Sequence, residues 1–168
     1  MSRVRAAAAG AAAAAIWALQ EPLDRRVFGV DYSDPRLLGR LVGRGAAVGF
    51  VIHVANGAAF GALYANVAPS LPGPGAVRGA TAGLAEHLAT WPGALVIDRL
   101  SIGRDFPKLW GDPRAFAQAT WRHLLFGALL GELERRLNPP DAEPEPIDAA
   151  AVASNGHGSV EHLVATGP

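Results

Sequence analysis

A phrase written twice constrains this chain more than any other feature. His53-x-x-x-Gly57-x-x-x-Gly61-x-Leu63 returns as His123-x-x-x-Gly127-x-x-x-Gly131-x-Leu133, at an offset of 70 residues. Flanking fragments recur too. Val4-Arg5 with Gly10 matches Val77-Arg78 with Gly83, Asp24-Arg25 matches Asp98-Arg99, and Asp34-Pro35-Arg36 matches Asp112-Pro113-Arg114. The offsets drift only between 70 and 78, so the chain reads as two tandem copies of one helix-pair unit, repeat one about 1–68 and repeat two about 75–138. Spacing by four puts each His and its glycines on one helix face. In an apolar helix that is a contact face with a polar group at one end.

The periodicity predicts four helices and no strand, since the apolar residues do not alternate. Helix 1 is expected over Arg3–Gln20, with Pro22 as a kink if it runs on, and loop 1 over Asp24–Ser33. The segment from Ser2 to Leu19 has the basic start and apolar run of a signal peptide. No small-x-small site precedes Glu21-Pro22, however, and the segment has a counterpart in the second copy, so it reads as a structural helix. Asp34 as N-cap and Pro35 at the first helical position open helix 2. Without a strong breaker before Pro69, helix 2 is expected over Pro35–Ala68, about 51 Å at ~1.5 Å per residue.

That length exceeds a ~30 Å hydrocarbon core. Residues 35–44, with Arg36, Arg40 and Arg44 on one face, therefore read as an interfacial amphipathic turn feeding a spanning part, 45–68. Helix 3 is expected over Gly75–Leu100 with a break at Trp91-Pro92-Gly93. Asp112-Pro113 starts helix 4, which ends near Asn138. Residues 139–168 are rich in Pro, Ala and acids and are expected to be a disordered acidic tail.

Glycine density decides between water and lipid. GxxxG pairs occur at Gly45/Gly49, Gly57/Gly61, Gly75/Gly79/Gly83 and Gly127/Gly131. An interior Gly costs ~1 kcal/mol relative to Ala in water, and Ala/Gly helices offer little apolar area to offset it. In lipid, small residues let backbones approach and association comes from that packing. The expected fold class is therefore all-α, an integral membrane four-helix bundle of two helix hairpins. Its partners are then the lipid bilayer and, through spare GxxxG faces, a further copy of the chain or a larger membrane complex. Nine Lys/Arg lie in and around loops 1 and 3 against five on the other side; the positive-inside rule then puts loops 1 and 3 in the cytoplasm, although Arg3 and Arg5 pull the other way.

Composition removes several function classes. The formal net charge is zero, which gives no basic footprint for nucleic acid. There is no Cys, hence no disulfide, thiolate metal site or Cys nucleophile. No GxSxG elbow, P-loop or GxGxxG occurs. His157 and His162 in the tail read as solvated.

The chemistry sits in a polar constellation at membrane depth: His53 and Asn56 on helix 2, Glu86 and His87 on helix 3, and Arg122 and His123 on helix 4. The rows Gly45-Gly49-His53-Gly57-Gly61, Gly75-Gly79-Gly83-His87 and Ala119-His123-Gly127-Gly131 each place a His on a small-residue face. All three could point into one interior. The plain reading is packing, with imidazoles as polar glue worth ~0.6 kcal/mol each and Glu86 paired with Arg122. Sharper readings are a zinc or iron site from three His and Glu86, bis-His haem, and a proton or solute path.

With these motifs placed, the chain resembles small bacterial inner-membrane proteins of four helices that carry His-x-x-x-Gly-x-x-x-Gly and a following aromatic. Here that is His53-Gly57-Gly61-Tyr64 and, with Glu134 in place of the aromatic, His123-Gly127-Gly131. The Ala- and Arg-rich composition has an actinobacterial style. The resemblance covers about residues 1–138 and implies a multi-pass inner-membrane protein; it supplies no activity. The expected function is a non-enzymatic structural or accessory membrane component, the alternative a redox or transport protein that uses the His cluster.

Overall fold

The repeated phrase is helical in both copies. The computed structural model of the protein describes residues 2–100 and 105–139. All its regular elements are helices: α1 (Arg3–Phe28), α2 (Asp34–Leu41), α3 (Ala46–Val67), α4 (Gly75–Thr90), α5 (Gly93–Arg99) and α6 (Pro113–Leu137). The expected disordered tail falls, Pro139 apart, outside the described residues.

Local signals explain most boundaries. Ser2 caps α1 by accepting from the Arg5 N–H. The helix runs through Pro22 to Gly29, whose φ of 69° ends it in the left-handed conformation, which glycine adopts without a Cβ clash. The predicted loop over Asp24–Phe28 is thus helix. At α2 the cap is Ser33 rather than Asp34, its hydroxyl accepting from the Arg36 N–H. Asp112 caps α6 through the Arg114 N–H. The helix expected over Gly75–Leu100 divides into α4 and α5 at Trp91-Pro92.

The largest departure is helix 2. It is not continuous over Pro35–Ala68 but breaks at Val42–Gly45, and α2 folds back along the start of α3. Gly43 carries the turn at φ 66°. A Cβ on Gly49 would overlap the Pro35 carbonyl and the Gly39 amide, and one on Gly39 would overlap the Gly45 carbonyl. This break accounts for the fall of the offset from 78 to 70. The spacing from Asp34 to His53 exceeds that from Asp112 to His123 by eight residues; copy one spends the excess on the fold-back, where copy two runs straight as α6.

The glycines make two equivalent seams. In copy one Gly10 of α1 meets Gly57 and Gly61 of α3, so closely that a Cβ on any of the three would meet backbone of the other helix. In copy two Gly75, Gly79 and Gly83 of α4 meet the backbone at Gly131, Gly127 and His123 of α6. Gly45 is the exception among the predicted packing glycines. It is the α3 N-cap, with open space where a Cβ would sit. The copies join through α1 and α6, where Ala9, Ala13 and Trp17 pack with Phe126 and Leu130. Across one end Ser2 N–H donates to Asn138 Oδ1 at 3.0 Å. The longer helices therefore lie in the order α3–α1–α6–α4. α3 and α4 form no packed seam with each other.

Among the described residues one helical stretch, Ala46–Ser70, is long and apolar enough to cross a membrane by length and composition, where four were expected. α4 has only 16 residues, α1 draws its apolar character mainly from alanine, and α6 carries Gln118, Arg122 and His123 at its middle.

Candidate functional site

Because α3 and α4 stand apart, a cleft of about 380 Å³ opens between the repeats. α1 and α6 form its floor, and α2, α5 and the neighbouring loops close one end. All six residues of the predicted polar constellation line it: His53 and Asn56 from α3, Glu86 and His87 from α4, Arg122 and His123 from α6. The fourfold spacing makes this so, because the row that carries the seam glycines also carries each His one turn further on.

Their pairing differs from expectation. Glu86 pairs with His123, Oε2 to Nε2 at 2.9 Å, not with Arg122. The other nitrogen of His123, Nδ1, lies 2.7 Å from the Ala119 carbonyl. His87 Nε2 lies 3.0 Å from Thr120 Oγ1, and the His87 and His123 rings are 4.8 Å apart. Trp17 stands between His53 and His123, its indole 5.1 Å from one ring and 4.7 Å from the other, edge-on to both. That indole occupies the place a haem between two axial histidines would need. Among the described residues no three His, Asp or Glu side chains come together in a way that could hold a metal ion. Neither of these sequence readings is supported by the arrangement.

Arg122 instead holds the repeats together. It is 1 % exposed and grips Asp24 of α1 with two prongs, Nε to Oδ2 and Nη2 to Oδ1, both at 2.7 Å. Its Nη1 reaches Asp34 Oδ2 at 3.1 Å and Glu21 Oε1 at 3.5 Å. Nη2 also donates to the Tyr32 carbonyl. Gln118, one turn earlier on α6, donates to Asp24 and to the Val30 carbonyl. A buried guanidinium needs this much compensation, because desolvating a lone charge costs several kcal/mol.

Sequence reasoning missed Glu21, Asp24, Asp34, Gln118 and Trp17 as parts of the site. Asp24 and Asp34 stood out only as repeat markers. The usable signal was asymmetry: Arg122 aligns with Ile52 in copy one, so the first repeat contains no equivalent of its ion pair. Trp17 and Trp91 likewise share the 74-residue offset of Asp24 and Asp98, and both line the cleft.

Outside the cleft, the loop end is tied by exposed ion pairs. Arg25 and Arg36 both donate to Asp31, and the Arg25 hydrogen bond holds that carboxyl below the usual range. Arg40 pairs with Asp105.

No protein-family model matches the chain, and neither curated proteins nor solved structures show a significant similarity to it.

Proposed function

We propose that the protein is a small multi-pass protein of the bacterial inner membrane, a non-enzymatic component built from two helix hairpins around a cleft at membrane depth. The observation that supports this reading is the placement of charge. Residues 6–20 of α1 and all of α3 carry no charged side chain, residues 79–90 of α4 carry only Glu86, and residues 115–131 of α6 carry only Arg122. Both charges line the cleft, while Leu19, Val51, Leu63, Leu88 and Trp121 face outward. Polar inside and apolar outside is the arrangement a bilayer rewards, and the glycine seams suit association in lipid. α1 and α6, at 26 and 25 residues, would reach about 38 Å at ~1.5 Å per residue, enough for a ~30 Å core.

The chain's lack of Cys makes a direct test simple. Single cysteines at Val51, Leu63 and Leu88 should resist a membrane-impermeant maleimide in intact and opened vesicles, while cysteines at Arg44 and Pro72 should react. Rapid labelling at all five positions would end the multi-pass reading.

A second reading, a proton path, is supported by one feature. Glu86 bonds His123, the His123 ring lies tilted 4.8 Å from that of His87, and His87 Nε2 lies 3.0 Å from Thr120 Oγ1. It requires Glu86→Gln to alter proton flux in reconstituted vesicles while the helices persist. Self-association through spare GxxxG faces loses its basis, because each GxxxG glycine except Gly45 is engaged inside the chain.

A further inference from the structure

The cleft carries two buried ring nitrogens with nothing to bond. Trp17 Nε1 and His53 Nε2 have no hydrogen-bond partner, and their residues are 7 % and 8 % exposed. Both residues line the cleft. A buried indole N–H can only donate, and leaving it unmade costs ~1–3 kcal/mol. The Trp17 N–H, on a residue that lines the opening, marks a place where an acceptor is missing.

The surroundings limit what could bring that acceptor. Aromatic rings run in contact along the floor: Phe60 with Phe126, Phe126 with Trp17, Trp17 with His123, His123 with His87, and His87 with Trp91. A planar ring packs well on such a surface, face or edge. Leu37, Leu38 and Ile97 add aliphatic wall. Glu86 is already matched by His123 and Arg122 by carboxylates, so neither of these two groups calls for an ionic ligand. The volume, about 380 Å³, lies in the range of small-molecule sites, roughly 300–1,000 Å³. Access between α3 and α4 would be lateral, from the hydrocarbon.

We propose that this cleft binds a lipid-soluble quinone-type ring, with one carbonyl oxygen accepting from Trp17 Nε1–H and the ring lying on the aromatic residues of the cleft. The inference is one of binding alone, with no electron transfer, and it rests on the membrane reading above because the ligand arrives through the bilayer.

The test is uptake of radiolabelled decyl-substituted benzoquinone by the full chain in nanodiscs, measured against empty discs. Saturable uptake near one per chain is expected. Trp17→Phe removes an N–H that bonds nothing in the protein and keeps an aromatic ring in the core, so the helices should persist, with a modest loss of melting temperature from the smaller ring, while affinity falls by up to about tenfold, the worth of one hydrogen bond. Unchanged affinity in the folded Trp17→Phe variant would overturn the proposal, as would uptake no greater than in empty discs. If a variant misfolds, competition on the wild type decides. Decylbenzene, which lacks a carbonyl, should displace the quinone poorly, and equal displacement would overturn the assignment. A chain that enters nanodiscs but takes up no quinone fails this inference alone; a chain that does not enter them fails the membrane reading as well.

Discussion

Arg122 of the second repeat and Asp24 of the first form a two-pronged ion pair, 2.7 Å at each prong, with both side chains almost fully buried. The pair spans 98 residues of sequence and ties α6 to α1 at the interface that joins the copies. Breaking it from one side strands a buried charge. Arg122→Met should lower stability by about 3–5 kcal/mol, read as a fall in the thermal midpoint in detergent. The double variant Arg122→Met/Asp24→Leu should recover part of the loss, since two charges leave together. If the single variant melted like the wild type, the pair would not hold the repeats.

The glycine seams separate two kinds of glycine. Gly79→Ala puts a Cβ into the Gly127 carbonyl, and Gly127→Ala puts one into the Gly79 carbonyl. Neither backbone can yield without parting α4 from α6, so each should cost about 1–3 kcal/mol as an overpacked contact. Gly45→Ala meets open space at an ordinary φ of −78° and should stay within about 0.5 kcal/mol of wild type. Equal effects at Gly45 and Gly79 in the same melting assay would contradict the seam.

The duplicated histidines should not behave alike. His123 is hydrogen-bonded at both nitrogens, to Ala119 and to Glu86, whereas His53 Nε2 bonds nothing. His123→Phe should therefore destabilise by about 1 kcal/mol more than His53→Phe. The Glu86 side chain is a third exposed, so water tempers the loss. Chemical denaturation of the two variants under one condition tests the order, and a larger loss at His53 would refute it.

The fold-back of α2 depends on two glycines in contact with backbone. Gly49→Leu should pry α2 off α3, because the new side chain would enter the Pro35 carbonyl and the Gly39 amide. Arg40 and Arg44 flank the released turn. Trypsin should then cut after them several-fold faster than in wild type, with cleavage elsewhere unchanged. Unaltered cleavage would mean that α2 is held by other contacts.

The sequence by itself determined the helical character of the chain and the faces its long helices pack with. Helical spacing of four made the glycine rows and the histidine at the end of each row legible, and the six polar residues picked on that basis do line one cleft. Duplication told that the second copy repeats the first, and the Asp-Pro signals placed the starts of α2 and α6 to within a residue. These are local matters, set by backbone periodicity and by side chains bonding to their own neighbourhood.

Tertiary structure decided what each polar group meets. Glu86 and Arg122 each needed an opposite charge, and composition allowed them to take each other. The arc α3–α1–α6–α4 instead gave Glu86 to His123 and set Arg122 among Asp24, Asp34 and Glu21. The break at Val42–Gly45 was equally hidden, since no residue there forbids a helix. It occurs because eight extra residues must fold back if His53 is to keep its place in the seam. The cleft itself follows from a contact that is not made, between α3 and α4. Only the packing of all the helices fixes such an absence, and no stretch of sequence encodes it alone.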